Sequence, residues 1–180
     1  MGPAAGNRQL LDDRFSLVYE ELRRLASAVL RGEQNARLTP TTLVHETWLK
    51  LAHSPGIAET SSLHFRRIAA RAMRQVLVEA ARRRGAICRR DAELLVTFDE
   101  SLPGLSAITA SREILALDSA LDQLREISER QADLVEGRFF GGLQIAELAA
   151  LLEVSESTVA REWRLARAWL ALEIRKSLNT

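Results

Sequence analysis

The sequence predicts an all-α protein made of two small helical domains joined by a flexible acidic linker. Ala, Leu, Arg and Glu recur at helical spacing, and only 5% of the 180 residues are aromatic. The charges are segregated, because residues 10–90 contain 15 Arg and Lys against 8 Asp and Glu. Residues 91–113 contain five acids against Arg112 alone. We therefore predict a first domain at 10–90, a linker at 91–112 and a second domain at 113–178.

The helices of the first domain follow from apolar periodicity and from residues that start or stop a helix. Thr39 suits an N-cap and Pro40 the first helical position, whereas Gly85 is placed to end a helix. The three predicted helices are 12–30, 39–53 and 63–84.

The second domain is predicted to contain four helices, and the last two have the spacing of a helix-turn-helix motif. In this motif Glu153 and Val154 form the turn, and Ser155 can cap the second helix. The inner stripe of the first helix is Ile145, Leu148, Ala149 and Leu152. The four predicted helices are 112–124, 128–139, 144–152 and 155–178.

The helix that starts at Ser155 has one apolar and one polar side at 100° per residue. The apolar side consists of Val159, Trp163, Ala166 and Leu170, and the opposite side of Ser157, Ala160, Arg161 and Arg164. Arg161 is placed to read a guanine edge, whereas Arg164 and Arg167 are better placed for phosphates. The pattern predicts a DNA-binding helix, although Glu162 is an acid near this reading face.

The helix predicted at 63–84 also has a basic side. Its apolar half is Phe65, Ile68, Ala69, Ala72, Met73, Val76, Leu77 and Ala80, and its other half carries Arg67, Arg71, Arg74 and Arg82. Such a row of arginines suits a phosphate backbone, and a solvated basic face is the simpler interpretation.

The usual signatures of an enzyme or a metal site are missing from the sequence. Cys88 is the only cysteine, and His45, His53 and His64 are too far apart to form a one-face helical metal pair. We therefore predict no enzymatic activity, no cofactor and no metal site. No stretch has membrane-spanning length and no signal segment is evident, which predicts a cytoplasmic protein that does not contact membranes.

Two segments resemble the extracytoplasmic-function (ECF) group of sigma factors. Thr42-Leu-Val-His-Glu-Thr-Trp-Leu-Lys-Leu and His64-Phe-Arg-Arg-Ile-Ala-Ala-Arg-Ala-Met-Arg resemble the second region of that family. Thr158-Val159 and Arg164-Leu-Ala-Arg-Ala-Trp-Leu resemble its fourth region. The resemblance covers about 10–90 and 116–177.

The resemblance implies that core RNA polymerase and promoter DNA are the partners. Residues 39–53 would dock on the polymerase clamp through Thr42, His45 and Glu46. The loop at 54–63 would receive a flipped base of the minus-ten element, and the arginines of the next helix would hold its strand. The helix from Ser155 would read the minus-thirty-five element with Ser157, Thr158, Arg161, Arg164 and Arg167.

The start of the polymerase-docking helix departs from the family pattern. Where most members carry several acids, this chain has Thr39-Pro40-Thr41-Thr42. Phosphorylation would add about −1.5 to −2 charge units there. We therefore predict control by a Ser/Thr kinase acting on Thr41 or Thr42, and less readily on Thr39, while the simpler interpretation is that these threonines only cap the helix. An anti-sigma factor is a further possible partner.

Two other functions fit parts of the sequence. A helix-turn-helix regulator would bind duplex DNA without polymerase and would use its N-terminal bundle to sense a ligand or dimerise. A protein-interaction module that has lost DNA binding is the second, and Glu162 gives it some weight.

Overall fold

The computed structural model describes residues 3–30, 38–53, 57–85 and 111–179. These residues form seven α-helices and one short 3-10 helix, and the described part contains no strand. The helices are α1 (Pro3–Val29), α2 (Pro40–Ala52), α3 (Ser62–Gly85), α4 (Ser111–Ile127), α5 (Glu129–Phe139), α6 (Ile145–Leu152) and α7 (Glu156–Leu178), with the 3-10 helix at Ile57–Glu59. The all-α prediction is confirmed.

Most helix boundaries lie close to those predicted, and α1 is the exception. It begins at Pro3 rather than near Asp12. Pro3 suits the first turn of a helix and the two alanines that follow have the highest helix propensity, so the helix extends ahead of its first apolar residues.

Side-chain caps fix the starts of three helices, α2, α5 and α7, and at α5 the Ser128 hydroxyl accepts from the Gln131 backbone N–H at 3.3 Å. Thr39 Oγ1 accepts a hydrogen bond from the Thr42 backbone N–H at 3.1 Å, as the sequence predicted for α2. Ser155 Oγ accepts from the Thr158 backbone N–H at 3.2 Å at the start of α7. Each cap satisfies one backbone donor that lacks a partner within its helix.

The helices of the two predicted domains pack on each other. Helix α3 lies against α2 on one side and against α4 and α5 on another, and α7 packs on α4, α5 and α6. One apolar cluster extends through both halves, including Leu22 of α1, Met73 of α3, Leu121 of α4 and Leu170 of α7. The domain boundaries stay a prediction, and residues 91–110 of the predicted linker lie outside the described residues. Residues 111 and 112 belong to α4.

A second, smaller apolar cluster lies between the helix-turn-helix and α5. It consists of Leu134, Leu143, Leu148, Ala149 and Val159. This cluster packs α5, α6 and the start of α7 together, so the orientation of α7 is set by buried side chains. Among the described helices, none combines the length and the apolar character that a membrane span requires.

Candidate nucleic-acid interface

The turn between α6 and α7 has the geometry that the sequence predicted. Glu153 ends α6 in the left-handed conformation, with φ 55° and ψ 42°, and its backbone N–H donates to the Ala149 carbonyl. The Val154 N–H donates to the same carbonyl at 3.1 Å. At the start of α6, the Gln144 N–H donates to Glu147 Oε2 at 2.7 Å. The short α6 is therefore closed at both ends by local hydrogen bonds.

The two sides of α7 are separated as the helical phase predicted. Val159, Ala166 and Leu170 are buried and Trp163 is half-buried. On the opposite side Ser157, Arg161 and Arg164 are exposed, and Ala160, Thr158 and Arg167 are half-buried. The side chains predicted to read DNA thus lie mainly on an accessible surface, and their contact with DNA stays a prediction.

Glu162 does not lie on that surface. Its carboxylate is only 6% exposed and binds the guanidinium of Arg130 on α5, with Arg130 Nε 3.1 Å from Oε2. Glu162 follows Val159 by three positions and precedes Ala166 by four, which places it on the inner side of the helix. The expectation of an acid near the reading face was wrong, because helical phase places this carboxylate on the inner side of α7, where it pairs with Arg130.

Arg138 of α5 is a second cation that contacts the inner side of α7, and it is half-buried. Its guanidinium lies 5.1 Å from the centre of the Trp163 ring, a cation–π contact between α5 and α7. Burial lowers the pKa of Arg138 from its ordinary value. Sequence reasoning missed both Arg130 and Arg138 as positioning residues, because their partners are on another helix.

The arginines of α3 face the second half of the chain. Arg67 Nη1 lies 2.8 Å from Asp133 Oδ2 on α5, and Arg82 Nη2 lies 3.3 Å from Asp118 Oδ2 on α4. Arg71 is exposed and has no ion pair within the part of the chain that the structure describes. Of the four α3 arginines predicted to contact DNA, Arg67, Arg74 and Arg82 are therefore paired with acids of α4 and α5.

Arg74 is the most enclosed member of this group, with 7% of the residue exposed. Its Nη2 lies 2.7 Å from Asp118 Oδ1 and 2.6 Å from Asp122 Oδ1, and its Nη1 binds Glu136. Burial alone would lower the pKa of Arg74, but the hydrogen bonds with Glu136 and Asp122 and the nearby negative charges outweigh it and raise the pKa. The expected solvated basic face therefore does not extend to Arg74.

Arg125 on α4 completes the ionic network. Its Nη1 lies 2.9 Å from Asp133 and its Nη2 lies 2.8 Å from Glu136. Burial would lower the pKa of Arg125, and its hydrogen bond with Asp133 and the charge of Glu136 raise it. Asp133 and Glu136 are thus each shared between an arginine of α3 and Arg125.

Arg66 makes a separate connection at the other end of α3. Its Nη1 lies 2.5 Å from Glu147 on α6 and its Nη2 lies 2.7 Å from Glu21 on α1. The Arg66 guanidinium on α3 therefore links the first turn of α6, in the helix-turn-helix, to α1. Sequence reasoning did not select Arg66, although it directly precedes Arg67.

Comparison with known protein families matches residues 4–176 to the family described as ECF sigma factor. The chain belongs to this family. The comparisons found no matching curated protein and no matching solved structure. Membership establishes a role in transcription initiation, with core RNA polymerase and promoter DNA as the partners.

In this sigma factor the residues predicted to contact polymerase lie on one face of α2. His45 is exposed, and Thr42 and Glu46 are half-buried. Their spacing of i, i+3 and i+4 aligns them along the helix. Leu49, which was not predicted to contact polymerase, continues this face at i+7 and is 50% exposed. The His45 ring lies 6.3 Å from the ring of Tyr19, which anchors this face to α1.

The three threonines at the start of α2 have different surroundings. The Thr39 hydroxyl caps the helix, and it also shares a 2.9 Å hydrogen bond with the Thr42 hydroxyl. Thr41 is exposed, and within the described residues its side chain makes no hydrogen bond. The first turn of α2 contains no acid. Thr41 is therefore the most accessible of the three hydroxyls.

The loop predicted to receive a flipped base is described from Ile57 onward, and residues 54–56 lie outside the described residues. Ile57 is 5% exposed and anchors the 3-10 helix in the core. The Thr60 hydroxyl donates to the Ile57 carbonyl at 2.8 Å, and the Ser61 hydroxyl lies 2.9 Å from His64 Nδ1. Glu59, Ser61 and Ser62 are exposed beside the start of α3.

Proposed function

We propose that this sigma factor directs promoter-specific initiation by docking on core RNA polymerase through α2 and by reading promoter DNA through α7 and α3. The observation that carries this proposal is the two-sided α7. Its inner side is held by the core and by the Arg130–Glu162 ion pair, and its outer side presents Arg161 and Arg164. Acting with polymerase on the chromosome, it is expected in the cytoplasm.

The proposal assigns a separate role in promoter recognition to each of these helices. The start of α7 suits the major groove of the minus-thirty-five element, because Ser157 and Ala160 are small and Arg161 can reach a guanine edge. Arg67, Arg71, Arg74 and Arg82 of α3 are assigned to the strand of the minus-ten element, and Arg164 and Arg167 to phosphates. Thr42, His45 and Glu46 are assigned to the polymerase clamp.

The experiment is run-off transcription with purified core polymerase on a promoter library. The wild type is expected to give promoter-specific transcripts, and an Arg161→Ala/Arg164→Ala variant is expected to lose them. Arg175→Ala is the matched control, since Arg175 is an exposed arginine near the far end of the same helix. Duplex binding without any initiation would instead identify a helix-turn-helix regulator.

A finer part of the proposal is that phosphorylation of Thr41 strengthens docking on polymerase. Thr41 is the second residue of α2, where the helix dipole favours negative charge and no acid is present. A phosphate there would supply the negative patch that arginines of the clamp would bind. Thr42 and Thr39 are less accessible targets, because their hydroxyls already bond to each other.

The test compares Thr41→Glu with Thr41→Gln, which have the same length and differ in charge. Thr41→Glu and kinase-treated wild type are expected to bind core polymerase more tightly than Thr41→Gln. Equal affinity for polymerase in all three proteins would contradict control by a kinase. Control by an anti-sigma factor would then be the remaining proposal for how activity is regulated.

A further inference from the structure

We propose that acids of α4 and α5 act as an intramolecular substitute for promoter phosphates, and that they hold the free sigma factor in a closed state. In this state Arg67, Arg74 and Arg82 of α3 are paired with four acids, Asp118, Asp122, Asp133 and Glu136. DNA can bind these three arginines only after α4 and α5 have moved away. The inference rests on the proposed function, since it assigns the same arginines to the minus-ten strand.

Arg74 is the most completely paired of the α3 arginines. Its Nε donates to Asp118 Oδ1 at 2.9 Å, its Nη2 donates to Asp122 Oδ1 at 2.6 Å, and its Nη1 binds Glu136. Nη2 also donates to the Asp118 carbonyl at 2.9 Å. All three nitrogens of the guanidinium are therefore engaged within the chain. A phosphate uses the same fork of donors as a carboxylate, so the two must compete.

Arg67 and Arg82 extend the occupied surface along α3. Arg67 pairs with Asp133 and Arg82 with Asp118, so ion pairs to acids of α4 and α5 occur from the second turn of α3 to its last turn. These acids come from the half of the chain that also carries the helix-turn-helix. The arrangement thus places that half on the surface of α3 where a DNA strand would lie.

The contact between α3 and the acids of α4 and α5 excludes water, so these helices must separate before DNA can reach Arg74. The side chains of Arg74 and Glu136 are 9% and 3% exposed, so neither can exchange its partner for a phosphate while the helices remain in contact. A buried charge left without its partner is strongly unfavourable. When α3 separates from α4 and α5, Arg74 and Glu136 must both be hydrated or bind new partners. Binding to core polymerase or to DNA would have to supply the free energy of this separation.

Arg71 remains accessible in the closed state. It lies between Arg67 and Arg74 in the sequence, is exposed, and pairs with no acid of the described helices. A DNA strand can therefore make a first contact with α3 at Arg71 before the other arginines are released. The closed state is expected to weaken DNA binding and not to abolish it, because the apparent affinity falls with the fraction of open protein.

The test compares two double variants of equal charge in the full-length chain. Asp118→Asn/Asp122→Asn removes two acids that bind Arg74. Glu126→Gln/Glu129→Gln removes two exposed acids of α4 and α5 that contact no residue of α3. Both raise the net charge by two, so a general gain in attraction for DNA is the same in each.

The measurement is binding of a short labelled single-stranded oligonucleotide to the free sigma factor, read by fluorescence anisotropy. We expect Asp118→Asn/Asp122→Asn to bind about tenfold more tightly than the charge-matched control, which corresponds to about 1.4 kcal/mol. Equal affinity of the two variants would overturn the closed state. A circular-dichroism melt of both variants establishes that they are folded. Asp122→Asn alone provides a milder variant if the double variant does not fold, because the Asp122 side chain is 66% exposed.

Run-off transcription separates the two proposals. If the affinities are equal and all proteins direct initiation with core polymerase, the closed state is contradicted and the sigma role stands. If the affinities differ as expected and none of the proteins directs initiation, the closed state stands and the proposed function is contradicted.

Discussion

Arg130 of α5 binds the buried carboxylate of Glu162 on α7 through both Nε and Nη2. The pair links the inner side of α7 to α5, and the Glu162 charge lies away from the side proposed to face DNA. Arg130 is itself 51% exposed, so the pair lies at the edge of the core and not deep within it.

Removal of this guanidinium should destabilise the fold. Arg130→Ala leaves the Glu162 carboxylate without its partner, and we expect the free energy of unfolding to fall by about 1–3 kcal/mol. Urea denaturation followed by circular dichroism measures the change. Arg161→Ala is the control, because an exposed arginine outside any such network should change stability by less than about 0.5 kcal/mol.

The arginines on the outer side of α7 should affect DNA binding and leave stability unchanged. Arg161→Ala is expected to cost about 1–3 kcal/mol of binding free energy and to relax preference at one base pair. Arg164→Ala should weaken binding to all sequences and reduce the slope of log affinity against log salt by about one. Promoter binding by the polymerase holoenzyme at several salt concentrations measures both effects, with Arg175→Ala as the control.

Replacement of Glu153, at the turn of the helix-turn-helix, by glycine should stabilise the fold. Glu153 has φ 55°, a conformation that costs a residue with a side chain about 1–2 kcal/mol relative to glycine. We expect Glu153→Gly to raise the free energy of unfolding by about 0.5–1 kcal/mol. Glu153→Gln removes the same charge without altering the backbone preference, and a gain of the same size in that variant would contradict the conformational explanation.

Two neighbouring glycines should respond differently to alanine. At Gly141 a Cβ would lie 2.7 Å from the Gly137 carbonyl oxygen and 3.1 Å from Ala70 Cβ of α3. At Gly137 it would meet only the ends of the Leu148 and Leu143 side chains, at 3.0 and 3.1 Å. Backbone atoms cannot yield as side-chain ends can, so Gly141→Ala should destabilise the fold by about 1–3 kcal/mol. For Gly137→Ala we expect less than about 1 kcal/mol, because alanine favours the helix. Similar losses in both variants, measured in urea, would contradict this reading of the contacts.

The helices and the two sides of α7 could be predicted from the sequence because they depend on local signals. Thr39, Pro40 and Ser155 are cap and first-turn residues whose effect is exerted within a few positions, and the apolar stripe of α7 has a fixed period. The inward position of Glu162 was also available from that period, since it lies on the same stripe as Val159 and Ala166.

The surroundings of the α3 arginines could not be predicted in the same way. Arg74 binds residues that are 44, 48 and 62 positions away, and helical phase contains no information about such partners. The sequence places Arg67, Arg74 and Arg82 on one side of α3 but cannot distinguish a side that faces water from one that faces acids of another helix. One signal in the sequence did indicate that the two halves of the chain could attract each other. The half before the linker has a net positive charge, and the half after it has a net negative charge.

The apolar cluster that runs from α3 into α4 gives the opening of this sigma factor a thermal signature. It includes Met73 and Leu77 of α3 together with Leu117 and Leu121 of α4. Separation of these helices would bring apolar surface into contact with water, which raises the heat capacity of the system. The free energy that separates closed from open protein is then a curved function of temperature, and the closed fraction declines on cooling as well as on heating. The fraction of open sigma factor would therefore depend on temperature even at a constant concentration of polymerase.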